Sequence, residues 1–560
     1  MRQLGGLAVP MIRRGWTTSH RLDYLAILVF GLTPLLWFRE GALLNSEDLM
    51  VPPNWTEFIR FWFIWNDQVG TGAPAILDSG RFVTLFIAAA LQALGVSPVM
   101  AQAAQFVFWF TLPGFAMYTL MASVYEGPWQ RLSRLAAVLF YMFNLWLISN
   151  WMGYKEPMIA AVAVLPFALA YWIRTVSRDA DYARAVCATG LVSILATPIG
   201  NNVTEMVAVM AVLPMFMATA ATAMVVRRHW ARAVRIGISA AAASVVWVAI
   251  NAFWIVPELR GLGVVTKTSD VDMFRGVSRQ FLEGQSLYTS LTNVVRLHGD
   301  WTWFQGLVDP YRTYAETYTS HPMIIFGGWV FVAVVIAGVA LGRGRFKHFF
   351  VGLAGLGLVL GAGLNAPWGD VYVWVVEHVP GAWLFRSPWF KFTLFTVIGY
   401  AVLIGLAAPV LVRVCISSCQ RMLRLEARRS TIVAAGSTML FAVILGPVLA
   451  YPLTLGLFFA TDDERTFLNP NHVTPPPYVL AAGTWLDSQE DSFRILSVPG
   501  DIPWLSDWGY SGFGSYIQWM TTRPVMFAGS TSRMKVTQGA PRPAGALVEQ
   551  LESDLLDHRS

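Results

Sequence analysis

Charge is what this sequence has least of. Only 13% of its 560 residues are Asp, Glu, Lys or Arg, against roughly 25% in a soluble domain. That leaves too little polar surface to solvate a globule of this length. Cysteine is nearly absent: Cys187, Cys415 and Cys419 are too few and too badly placed for a disulfide framework, and none has a histidine at metal-ligand spacing. There is no internal repeat and no low-complexity run, which argues against a repeat-built transporter. What abounds is apolar: 55% of the chain is hydrophobic and 24 residues are Trp, a side chain that favours membrane–water interfaces and sugar-binding surfaces. The net charge of +6 would suggest nucleic acid in a soluble protein. Here the basic residues sit in short gaps between apolar runs, so they set membrane topology and no nucleic-acid partner is expected.

A spanning helix needs about 20 mainly apolar residues. Eleven runs qualify: 22–38, 98–123, 134–150, 157–175, 184–200, 204–226, 236–258, 321–342, 348–364, 389–412 and 431–456. The first follows Arg2, Arg13, Arg14 and Arg21, but Arg39-Glu40 stands where a signal-peptide cleavage site would, so it reads as an uncleaved helix. The run 82–96 is short. If it lies at the outer interface, every strongly basic loop falls on the N-terminal, cytoplasmic side; counted as a span, it throws those loops to the wrong side. The outer side then carries the long loops 39–97 and 259–320, a shorter one at 365–388, the tail from 457, and most of the acids. The expected domains are a membrane domain over 1–456 and an extracytoplasmic segment over 457–560. In the tail, 478–487 reads as a helix, Phe493–Val498 alternates like a strand, and 544–558 reads as an amphipathic helix, which suggests a small α/β unit.

Chemistry is expected on the outer face. Glu47-Asp48 follow the first span by about ten residues, and a helix over Trp55–Asp67 carries Phe58, Phe61, Trp62, Phe63 and Trp65. A carboxylate beside an acceptor hydroxyl takes its proton as it attacks an anomeric carbon; the plain alternative is a pair of solvated loop acids or a helix cap. Asp270-Val271-Asp272 could hold a divalent cation through oxygen ligands. That triplet arises readily by chance, no cofactor is otherwise called for, and no metal ligands are assigned. In Leu384-Phe385-Arg386-Ser387-Pro388-Trp389-Phe390-Lys391-Phe392, Arg386 and Lys391 stand at the outer mouth of a span, against the positive-inside trend. They either clamp a phosphate or snorkel beside Trp383 and Trp389. Lys155-Glu156, Glu205, Glu258 and Arg260 either line a polar cavity or pair at helix ends.

This order of elements resembles the GT-C superfamily of integral-membrane glycosyltransferases: a first span, a long first outer loop with two interfacial helices, six more spans, then a second long outer loop. The Arg386-to-Lys391 stretch is similar to an FR-x-P-x-x-K-F element of YfhO-like proteins and of the membrane domain of mycobacterial α-(1→3)-arabinofuranosyltransferases. The exposed stretch from Pro475-Pro476-Pro477-Tyr478 to Arg494-Ile495-Leu496 is similar to theirs as well. The resemblance implies an all-α polytopic fold and a polyprenyl-phosphate sugar donor. It implies a glycan or glycolipid acceptor on the outer face of a bacterial or archaeal plasma membrane, inversion at the anomeric carbon, and a catalytic acid early in the first outer loop. Asp48 would be the general base with Glu47 as partner, Arg386 and Lys391 would hold the donor phosphate, and Trp62 and Trp65 would contact lipid or sugar. Arabinofuranosyl transfer in cell-wall assembly is one form of this reading, although the large carbohydrate-binding region of those enzymes has no counterpart in the tail. A transporter or flippase of lipid-linked glycans, and a non-catalytic assembly protein on the same fold, are the rival readings.

Overall fold

The computed structural model describes residues 16–39, 41–45, 51–60, 63, 65–66, 73–74, 80–197, 203–265, 271–303, 313–365, 367–379, 382–422, 427–459, 471–497, 504–512, 516–527, 550–551 and 553–555. Helix α1 (Trp16–Gly31) runs through a 3-10 turn (Thr33–Trp37) into β1 (Leu43–Asn45). The first long loop then holds α2 (Trp55–Arg60), β2 (Trp65–Asn66), β3 (Ala73–Pro74) and α3 (Phe82–Ala93). Next come α4 (Pro98–Val124), α5 (Gln130–Met142), α6 (Leu145–Met152), α7 (Glu156–Arg178), α8 (Tyr182–Leu195), α9 (Val203–Val226) and α10 (Trp230–Val265). The second long loop carries α11 (Val271–Ser286), α12 (Leu291–Val295) and α13 (Thr313–Ser320), before α14 (Pro322–Leu341), α15 (Lys347–Gly361), α16 (Gly369–His378), α17 (Pro388–Met422), α18 (Ala427–Val443) and α19 (Tyr451–Leu455).

Among the described residues seven helices are long and apolar enough to cross a membrane, and an eighth span results if α5 and α6 count as one. These coincide with eight of the expected runs. The remaining three correspond to α1, α8 and α15, which are 16, 14 and 15 residues long, so a total of eleven spans is not established. The run 134–150 is not one straight helix. It bends by 42° between α5 and α6, where Asn144 caps α6 by accepting from the Leu147 N–H at 3.2 Å and donates to the Tyr141 carbonyl at 3.1 Å. An asparagine that serves both ends at once is a good place to break a helix.

The expected helix over Trp55–Asp67 is corrected. It stops at Arg60, and Trp65–Asn66 pairs antiparallel with Ala73–Pro74. An aromatic run is as well suited to extended backbone as to helix. Helix α3 spans 12 residues, about 18 Å, too short to cross. It packs on α2 through Phe58, Leu85 and Ala89.

The core centres on α17, which is mostly buried from Pro388 to Val412 between α5, α14, α15 and α18. Small residues let the helices approach: a Cβ at Gly399 would run into the Phe350 carbonyl and Ala354 of α15, the packing device expected where no hydrophobic gradient separates helix from lipid. One end of the bundle collects the basic loops. There the buried Asp23 of α1 pairs with Arg131 at 2.7 Å and accepts from Tyr118 Oη at 2.8 Å, and Arg232 and Arg235 both reach Asp179. The tail includes β4 (Asn471–Val473), α20 (Pro477–Ser488), β5 (Ile495–Ser497), β6 (Trp504–Leu505), β7 (Ser511–Gly512) and β8 (Val525–Phe527), with β5 parallel to β8. The expected helix and strand are thus both present. Of the expected helix 544–558, only 550–551 and 553–555 are described, all helical.

Candidate functional site

Two polar clusters mark the other end of the bundle, the end expected to face outward. In α4, Gln102 and Gln105 lie near the first turns and Tyr118 near the last, so about 20 Å of helix separates this end from the Asp23 cluster. Gln102 is buried. Its Oε1 accepts from the Leu44 N–H at 2.9 Å and its Nε2 donates to the Leu44 carbonyl at 2.8 Å. The opposite edge of the same strand, β1, pairs antiparallel with β4, Leu43 opposite Val473 and Asn45 opposite Asn471. A three-residue strand is thereby satisfied on both edges. One turn along α4, Gln105 donates to Tyr154 Oη at 2.9 Å. Burial first and the neighbouring Glu156 carboxylate second raise the Tyr154 pKa, which keeps the phenol protonated. Glu156 opens α7 and is gripped by Arg81 from two nitrogens, at 2.9 and 2.7 Å, with the Thr84 hydroxyl at 3.2 Å. Both partners of the pair are buried, the geometry in which an ion pair can offset its desolvation.

The second cluster surrounds Lys391. The turn ahead of it is held by Tyr372 Oη, which donates to the Phe385 carbonyl at 2.7 Å, and by Phe385 stacked on Phe392 at 5.6 Å. Pro388 then opens α17, where a missing N–H costs nothing, and Lys391 falls in the first turn. Lys391 is only 5% exposed, and Glu205, Arg386 and Lys155 all act on it electrostatically. Arg386 is half-buried with its guanidinium 5.2 Å from the Phe281 ring centre; burial lowers its pKa but leaves an arginine charged. Among the described residues, one carboxylate and two further cations thus act on a buried lysine. Lys391 is no snorkelling anchor. Nor is Trp389, which is fully buried against Gly299, where a Cβ would collide with its ring.

The fold has a counterpart among solved structures. The chain superposes on the structure of arabinofuranosyltransferase AftD from mycobacteria with a TM-score of 0.50 at 14% identity, covering 91% of this chain and 32% of that one. A mutant of the same enzyme gives 0.51 at 15% identity, with 91% and 33% covered. The chain thus spans about a third of the length of that enzyme. The archaeal oligosaccharyltransferase AglB from Archaeoglobus fulgidus, in complex with an inhibitory peptide and a dolichol-phosphate, aligns at 12% identity over 91% of this chain and 64% of that one, with a TM-score of 0.40, too loose a likeness to argue from. No family model and no curated protein sequence matches the chain.

Of the expected site residues, Arg386 acts electrostatically on Lys391, as do Lys155 and Glu205. Glu47, Asp48 and Trp62 lie outside the described residues, and Trp65 is described only as backbone in β2. Asp270 and the side chains of Asp272, Glu258 and Arg260 are likewise outside them. Among the described residues no group of three or more His, Cys, Asp or Glu could hold a metal ion. Sequence reasoning missed Arg81, Gln102, Gln105 and Tyr154. Only Arg81 carried a signal, as a cation on the acidic side of the topology.

Proposed function

We propose that this chain is a glycosyltransferase that moves a sugar from a polyprenyl-phosphate donor to a glycan or lipid acceptor at the outer face, with inversion. The observation that carries this is the burial of Lys391 in the first turn of α17, where Arg386, Lys155 and the Glu205 carboxylate all act on it electrostatically. Such a cluster favours an anion of the size and charge of a phosphate. The fold adds an analogy but no chemistry of its own.

In this reading Asp48 takes the proton of the acceptor hydroxyl as its oxygen attacks the anomeric carbon. The bond from that carbon to the phosphate oxygen breaks, and the electron pair leaves with the polyprenyl phosphate. Arg386 and Lys391 stabilise the charge that grows on the departing phosphate, and Glu47 is the partner or alternate base. Trp62 and Trp65 would contact lipid or sugar. Support for Asp48 comes from β1, whose last residue, Asn45, stands three positions before it in a strand held on both edges.

The test is transfer by the purified chain in lipid nanodiscs, supplied with synthetic polyprenyl-phosphate sugars, arabinofuranosyl among them, and oligosaccharide acceptors. The expected outcome is a new glycosidic bond of inverted configuration, abolished by Asp48→Asn. Transport of the lipid-linked sugar without any product would instead establish the flippase reading.

A further inference from the structure

A cavity of about 390 Å³ opens at the outer end of the first span, between the turn after α1, helix α13, the α19 segment and strand β4 of the tail. We propose that it is a saccharide-binding subsite, separate from the Lys391 cluster, that takes a sugar unit of a glycan carried at the membrane surface. The identity of the ligand rests on the glycosyl-transfer reading; the existence of the site does not.

The volume falls within the roughly 300–1,000 Å³ of small-molecule sites, and the lining has the chemistry a sugar needs. Tyr451 offers a partly exposed ring, the buried rings of Trp37 and Phe459 back the wall, Tyr314 and His472 line it, and Arg39 is an exposed cation at the rim. Aromatic rings with polar ends match a ligand whose C–H faces are apolar and whose edges are hydroxyls.

The walls are held before any ligand arrives. Trp37 Nε1 donates to the Leu453 carbonyl at 2.7 Å, and His472 Nε2 lies 2.7 Å from the Trp37 carbonyl oxygen. Tyr451 stacks on Tyr318 at 5.6 Å with 12° between the planes. Gly456 sits at φ +69°, and a Cβ there would fall 2.9 Å from Trp37 Cδ1, so only glycine lets this turn close on the indole. Such preorganisation spares a ligand the ordering cost of binding. The exposed Leu36, Leu455 and Leu457 place the mouth where lipid-facing surface ends, within reach of a membrane-borne glycan.

The test is direct binding to the full chain in nanodiscs, read by saturation-transfer NMR. The probes are arabinofuranosyl, galactofuranosyl and mannopyranosyl oligosaccharides of two to six units. One of the series is expected to bind. Arg39→Ala and Tyr451→Ala should each weaken binding at least tenfold and Tyr451→Phe severalfold, the last keeping the stack on Tyr318 intact, while Lys391→Met leaves binding unchanged. The proposal is overturned if no probe binds, if the Arg39 and Tyr451 variants bind as tightly as the parent, or if short-chain phosphatidylglycerol displaces the sugar. A chain that binds the sugar here but transfers nothing would overturn the glycosyl-transfer reading and leave the subsite standing.

Discussion

Gln102 holds Leu44 by both of its backbone polar groups, at 2.9 and 2.8 Å. The contact joins the first turns of α4 to the strand that leads into Glu47-Asp48. Truncation by Gln102→Ala leaves a buried N–H and C=O without their partner, at a cost of about 2 kcal/mol for two hydrogen bonds. If the strand positions the base, kcat for transfer should fall tenfold or more while the donor KM changes less than twofold. A loss of stability with kcat unchanged would leave Gln102 a structural residue only.

The Arg81–Glu156 pair predicts a non-additive pattern. Removing Arg81 alone leaves the buried Glu156 charge uncompensated, and breaking such pairs costs about 3–5 kcal/mol. Arg81→Met should therefore unfold at markedly lower temperature, and Arg81→Met combined with Glu156→Leu should recover most of the loss. Thermal unfolding of the four proteins in one detergent gives the coupling by a double-mutant cycle.

Lys391→Met should weaken donor binding about 10- to 100-fold, the worth of a charged hydrogen bond of roughly 1.5–3 kcal/mol. Arg386→Lys, which keeps the charge and loses the bidentate fork, should weaken it by less. Titration with the polyprenyl-phosphate sugar checks both; unchanged affinity in both variants would remove the phosphate assignment.

His298, in the loop between α12 and α13, is 3% exposed. Burial first and the Arg296 charge second lower its pKa from 6.5 to about 3. The folded chain keeps the ring neutral, so the unfolded chain takes up the proton first as the pH falls. The stabilisation is complete above 6.5 and is lost progressively down to about 3. Between pH 7 and pH 5 this one group should cost about 2 kcal/mol. His298→Phe should flatten that part of the stability profile.

The fold was legible because spanning helices must be long and apolar, and because cations against the topological trend stood out at Arg386 and Lys391. The break at Asn144 was hidden, since its flanks are apolar on both sides and only tertiary packing selects the cap over a continuous helix. The end of α2 at Arg60 was hidden for a related reason: the aromatic run after it suits a strand equally well. Gln102 and Tyr154 carry no sequence signal, because each neutral side chain acquires its role from a partner, the Leu44 backbone or the Gln105 amide, that arrives from distant chain.

The most direct test of the account is single-turnover transfer with donor already bound, comparing the parent with Asp48→Asn in nanodiscs. The account predicts normal insertion, normal donor affinity and no product from the variant. Product formed at the parental rate by Asp48→Asn would contradict it.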